Sequence, residues 1–335
     1  MFTWPEIPRP YEPHALHGAG AAWPETNCYV DLWIEVLHAL RLNSLAALGF
    51  TVAIDWEGDQ FSFFKMPAGD LDRLYGISIG ELNVWWSLEE QVAVQVARGQ
   101  LPIVDADAFF LPDTRGTSYR AQHTKTSVGV RAMDRATKRI EYFHNAGYFS
   151  LEGEDYEGIF SRQAGSMGLA PYVEIAKLEG LIRRDDRTLR KMALELLVHH
   201  NDRRRMRDEK HGSAMARFAK ALPEHVAWMR AQGGDSFHAY AFAAVRQLGA
   251  ACELLGAHLR WLDGVAEPQF VAATELFVSV ANLAKTLQFK LARAAASTKL
   301  FDADGATVEI AEHLTRAFSA MDDGLAKGLA KGVAR

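Results

Sequence analysis

The chain changes character near residue 165, and that change constrains the fold more than any other feature of the sequence. Eight of the 11 prolines, six of the 8 tryptophans and seven of the 9 tyrosines precede it, and the remainder is rich in Ala and Leu with few helix breakers. Breakers and aromatics followed by long unbroken apolar periodicity predict an α+β domain over residues 1–165 and an all-α helical bundle over 166–335. The stretch from Ser161 to Pro171, with Gly165 and Gly168 inside it, is the candidate boundary.

In the first half, prolines at 5, 8, 10, 13 and 24 fix φ and remove donors, so the arm runs extended. Periodicity then begins: Val30, Trp33, Ile34, Leu37 and Leu40 recur at helical spacing after Cys28, with Thr26 or Asn27 as cap. Leu101–Phe110 reads as a strand ended by Pro112 and Asp113. Thr124–Met133 and Arg139–Ala146 read as two more, joined by the polar run Asp134–Lys138 into an antiparallel hairpin. In the second half helical patterns cover roughly 171–199, 209–231, 236–262, 269–296 and 307–330, with breaks at Gly233-Gly234 and Glu267-Pro268. Leu276, Val280, Leu283, Leu287 and Leu291 form one apolar stripe of the fourth.

Several classes of function are disfavoured. A net charge of −5 offers no global basic field for nucleic acid or anionic lipid. No apolar run approaches the roughly 18–20 residues that span a bilayer, and the first residues lack a secretory pattern, so a cytoplasmic protein with no membrane partner is expected. Gly-x-Gly-x-x-Gly after a strand, the Walker pattern and Gly-x-Ser-x-Gly are all missing. The histidines show no metal spacing, and the two cysteines, Cys28 and Cys252, make neither a disulfide framework nor a Cys-rich zinc site. What is left is thiol chemistry or binding, with no resident cofactor.

Cys28 opens its helix, where the partial positive charge favours an anion, the setting that a nucleophilic thiolate requires. His123 precedes one strand of the hairpin and His144-Asn145 closes the other, so the open end of the hairpin brings them together. A thiol at a helix N-terminus, an imidazole on a strand and a polar orienter on the next strand is the arrangement of papain-like enzymes. On that reading Cys28 is the nucleophile, His123 the base, and Asn145 or His144 the orienter; alternation allows only one of the last two to face the site. The competing readings are a small buried cysteine and ordinary hairpin residues. Asp105 and Asp107 share one strand face, either to orient a catalytic group or bind an amine, or as structural anchors. Asp55, Glu57 and Asp59 either contact an ammonium or a divalent ion, or form an acidic turn. Trp85-Trp86 reads foremost as core packing, with pocket lining as the alternative. The arginines at 183–190 and 203–207 read as a salt-bridged helix surface rather than a docking face, and Cys252, among apolar neighbours, as inert core.

The runs ETNCYVDLW (25–33), FTVAIDWEGDQF (50–61), ELNVW (81–85), DAFFLPDT (107–114) and YFHNAGYF (142–149) resemble the bacterial family catalogued as domain of unknown function 1839. More distantly, a cysteine before a helix, then a strand ending in Asp-x-Phe-x-Leu-Pro, then a His-bearing strand, resembles the N-terminal domain of butirosin biosynthesis protein H. That domain is similar to papain-like cysteine enzymes and moves an aminoacyl group from a carrier-protein thioester to an amine. The resemblance implies a papain-like domain with a small antiparallel sheet, Cys28 as nucleophile and Asp107 as the matching strand aspartate. It also implies an acyl-carrier protein as partner, its phosphopantetheine arm as donor, and a small amine or amino acid as acceptor. The chain departs from that pattern where the histidine usually begins the strand, at Lys125-Thr126-Ser127, and at His144-Asn145, which replace a closing Asp-Pro. The expected function is a thiol-dependent acyltransferase working through a Cys28 thioester. The alternatives are a non-catalytic carrier-protein or peptide binder, and a cysteine amidase or peptidase.

Overall fold

The structure is a computed structural model that describes residues 2–160, 171–265 and 269–332. The expected boundary at 161–170 and the break at Glu267-Pro268 lie outside the described residues. The chain forms two compact units, neither continuous in sequence. The first comprises Met1–Gly18, Asn27–Ser44 and Met66–Arg184, the second Ala19–Thr26, Leu45–Lys65 and Asp185–Arg335.

The first unit is α+β. Its elements are α1 (Cys28–Ala39), α2 (Ala68–Tyr75), β1 (Ser78–Glu81), α3 (Leu88–Ala97), β2 (Leu101–Asp107), β3 (Lys125–Asp134), β4 (Arg139–His144), β5 (Gly147–Glu152), α4 (Glu154–Phe160) and β6 (Val173–Lys177). Asn27 is the cap of α1: its side chain accepts from the N–H groups of Tyr29 and Val30, two donors that the helix itself cannot satisfy. The six strands form one antiparallel sheet in the order β1-β6-β2-β3-β4-β5. Of these, β2, β3 and β4 are the strands that the alternation predicts. The first is shorter than expected because Asp107 turns the chain into a 3-10 turn over Ala108–Phe110, its carboxylate accepting from the Phe109 N–H. The helical pattern expected to start at 171 is corrected at that end. Val173–Lys177 pairs with both β1 and β2, and the helix starts only at Asp186, behind its Asp185 cap.

Register sorts the sheet's side chains onto two faces, since residues directly opposite one another point the same way. Glu174, Ile103, Gly129, Phe143 and Tyr148 form one row across five strands, and the same face continues through Asp105 and Ser127 to Asp107 and Lys125. α1 covers this face: Tyr29 Oη donates to Glu174 Oε2 at 2.7 Å, and Tyr11, which donates to Glu35 of α1, packs on Phe143 and Tyr148. The other face carries Val104, Ala106, Val128, Val130 and Tyr142 into a core with Leu88 and Val92 of α3 and Tyr156, Ile159 and Phe160 of α4.

The second unit is a bundle of α5 (Asp186–His211), α6 (Ala214–Gln232), α7 (Gly234–Ala241), α8 (Gln247–Leu262), α9 (Val271–Ala295) and α10 (Ala303–Gly332). The continuous helix expected over 236–262 is divided by a π turn at Phe242–Arg246. In α9 the buried stripe runs through Phe277, Val280, Ala284, Leu287 and Leu291, while Leu276 and Leu283 are half-buried at its edge. No described helix is long and apolar enough to cross a membrane.

Gly76 ends α2 at a φ of 68°, and a Cβ there would run into the Gly180 carbonyl oxygen. Gly76→Ala is therefore expected to lower stability by at least about 2 kcal/mol. The midpoint of denaturant unfolding checks this; an unchanged midpoint would show that the 76 and 180 turns yield to each other.

Candidate functional site

Asp107 ends β2 and is buried at 3% side-chain exposure. A carboxylate there needs donors, and it has them: Oδ1 accepts from the Phe109 and Thr124 N–H groups at 3.1 Å each, and Oδ2 meets His123 Nδ1 at 2.6 Å. His123 itself is 62% exposed, with its ring stacked on Phe109 at 4.4 Å between centroids. The bond from Nδ1 to the carboxylate fixes the orientation of the ring and turns its Nε2 edge away from Asp107. The pair stands at the end of the sheet face that α1 covers, and the partly buried Cys28 is the first residue of α1. Lys125, beside Asp107 in register, pairs with Asp105 at 3.0 Å.

The other candidates lie elsewhere. His144 is buried, with Nδ1 on Asp113 at 2.5 Å and Nε2 on Thr126 Oγ1 at 2.8 Å, and Tyr142 also donates to Asp113. Thr126 lies opposite Ala106, so this cluster belongs to the face that α3 and α4 cover, opposite the one that bears His123 and Asp107. Asn145 has a φ of 44° at the two-residue turn between β4 and β5. Asp55, Glu57 and Asp59 lie in the second unit, where Asp55 is bound by Arg217 and Arg207 and Glu57 accepts from Ser62. Among the described residues no cluster of His, Cys, Asp and Glu could hold a metal ion. Trp85 is not the core residue expected. It is 80% exposed and stacks on Trp86 at 5.7 Å, in a loop whose backbone N–H groups are tied to the Gln91 side chain. The arginine concentration is largely consumed by structure: Arg183 and Arg184 donate to carbonyls at the ends of α1 and α2, and Arg190 and Arg204 pair with acids on their own helix.

A second polar cluster escapes sequence reasoning. Asp31 and Glu35 sit on α1 one turn apart and are fully buried. Tyr11 Oη donates to Glu35 at 2.5 Å, the His14 N–H at 3.0 Å, and His17 lies between Glu35 and Asp31. Burial alone would lower the His17 pKa, but its hydrogen bonds to Asp31 and Glu35 and their charges raise it to about 9. Burial, then the neighbouring His38, lowers His14 to about 4. Burial also opposes the Glu35 charge, yet bonds from His17, Tyr11 and His14 hold its pKa below the usual value. The i, i+4, i+7 spacing of Asp31, Glu35 and His38 was the available signal, but it reads equally well as a solvated stripe.

Residues 12–178 match the DUF1839 N-terminal domain and residues 186–327 the DUF1839 C-terminal domain, and the chain belongs to this family. No curated protein matches it.

Two expectations follow. Cys252 is buried, which pushes its thiol up to about 12, whereas Cys28 is partly accessible at a helix N-terminus. Cys28 should therefore alkylate at least about tenfold faster under limiting iodoacetamide, read by peptide mapping; equal rates would remove the case for a reactive thiol. The second concerns His17, whose folded pKa of about 9 stands above an ordinary value of 6.5. Its contribution is complete below pH 6.5, declines above it and is gone once pH has risen through 9. Stability of the wild type should fall over that window and that of His17→Gln should not, as measured by denaturation midpoints across pH.

Proposed function

We propose that the protein is a thiol-dependent acyltransferase with a papain-like first unit, in which Cys28 is the nucleophile, His123 the base and Asp107 its orienter. The observation that carries this reading is the buried Asp107 carboxylate on Nδ1 of an accessible His123, on the sheet face covered by the helix that Cys28 opens. The resemblance to the N-terminal domain of butirosin biosynthesis protein H supplies the donor, a phosphopantetheine thioester on an acyl-carrier protein. His123 Nε2 takes the thiol proton as Cys28 Sγ attacks the thioester carbonyl. The Sγ–C bond forms, the bond to the phosphopantetheine sulfur breaks, and that sulfur receives the proton from His123. An amine then attacks the Cys28 thioester, His123 takes the amine's proton, and the released Cys28 thiolate recovers it. Asp107 holds the ring by Nδ1 and stabilises the imidazolium.

The test is intact-mass analysis after exposure to a set of acylated carrier proteins. Wild type should gain the acyl mass and lose it on addition of an amine, and Cys28→Ser should not gain it. His123→Gln should slow acylation by roughly 10²–10⁴ and Asp107→Asn by at least about tenfold, with the fold intact by circular dichroism. Discharge by water without an amine would indicate an amidase or peptidase. A wild type that binds carriers without ever gaining the mass would indicate a binder and end the acyltransferase reading.

A further inference from the structure

The C-terminal ends of α6 and α9, the connection that follows α9 and the start of α10 line a pocket of about 510 Å³, within the range of roughly 300–1,000 Å³ typical of small-molecule sites. Its charges are nearly all of one sign. Arg230 of α6, Lys290 and Arg293 of α9 and Lys299 of the connection face a single carboxylate, Asp302. A chain with a net charge of −5 thus gathers an excess of three positive charges in one concavity.

Arg230 builds the pocket. Its Nε donates to the Ala294 carbonyl at 2.9 Å and its Nη2 to the Lys299 carbonyl at 2.7 Å, which ties the end of α9 to the connection and leaves Nη1 without a partner among the described residues. Lys290, Arg293 and Lys299 form no ion pair with any described residue. Asp302 does not neutralise them: its Oδ1 accepts from the Gly305 N–H at 2.9 Å at the start of α10, and it too is in no ion pair among the described residues. Helix-end electrostatics accounts for Arg230 and Arg293, which lie in the last turns of α6 and α9, but not for Lys290 or Lys299. Cations held together without counter-charge repel one another, and an anion that enters the pocket removes that cost. Guanidinium forks beside ammonium donors are the set that phosphoryl oxygens accept from.

We propose that this pocket binds the diphosphate group of a small soluble ligand, whose charge of about −3 near neutral pH matches the positive excess. The site is independent of the thiol chemistry proposed for Cys28.

Isothermal titration calorimetry of the full chain with inorganic pyrophosphate tests the proposal. Pyrophosphate should bind one to one, and orthophosphate, which brings less charge and fewer acceptors, at least about tenfold more weakly. Lys290→Gln combined with Arg293→Gln, both exposed on α9, should weaken pyrophosphate at least about tenfold. Lys191→Gln combined with Lys220→Gln removes the same charge from exposed positions outside the pocket and should leave the affinity within about twofold. Ala306→Glu places a carboxylate in the pocket near the start of α10, where an acidic side chain suits the helix, and should also weaken pyrophosphate at least about tenfold. It decides the matter if the Lys290/Arg293 variant does not fold. Absence of saturable pyrophosphate binding, orthophosphate binding as tight as pyrophosphate, an equal loss in the two double variants, or full affinity in Ala306→Glu would each overturn the proposal. A chain that sediments with phosphatidylglycerol vesicles but gives no saturable pyrophosphate site would show a surface for anionic lipid instead.

Discussion

α1 is a helix surrounded by protein that nevertheless carries two carboxylates, Asp31 and Glu35. Burying them unpaired would cost far more than a helix of this length gains from its apolar contacts. The proline-rich arm resolves this by bringing His17, the His14 N–H and the Tyr11 hydroxyl onto them. Tyr11 then reaches the sheet through Phe143 and Tyr148, and Tyr29 reaches it through Glu174. The arm, the helix and the sheet face are thus held by these hydrogen bonds and ring contacts together, and the position of Cys28 follows from them.

The parity of the strands decides which polar residues share that face. Asp107, Asp105 and Glu174 lie on the side that α1 covers, whereas Thr126, with His144 bonded to it, lies on the side packed by α3 and α4. Because side chains alternate, a register shift of one residue would exchange these sets. Asp107 contributes twice. Its backbone ends β2, and its carboxylate closes the following turn while holding His123 by Nδ1, so the element that terminates the strand also orients the imidazole. The second unit commits its charges in a comparable way: Arg204, Arg207 and Arg217 are spent on partners within the unit.

By itself the sequence determined the elements whose period and caps are local: the helix from Cys28 with its Asn27 cap, the strands beginning at Leu101, Lys125 and Arg139, and the helical character of the chain beyond Asp186. It also contained His123 and Asp107 as separate candidates, with Asn145 or His144 expected as the orienter of His123, but not their contact, which needs a chain reversal across sixteen residues. The tertiary structure alone decided the rest. Val173–Lys177 is a strand because β1 and β2 flank it, although its pattern also runs as a helix. Asp31 and Glu35 are buried because a distant arm covers them, and Trp85 and Trp86 are exposed because the Gln91 side chain holds their loop outward. Periodicity and capping are properties of neighbouring residues, whereas register, burial and charge pairing belong to segments that meet only after the chain has closed on itself.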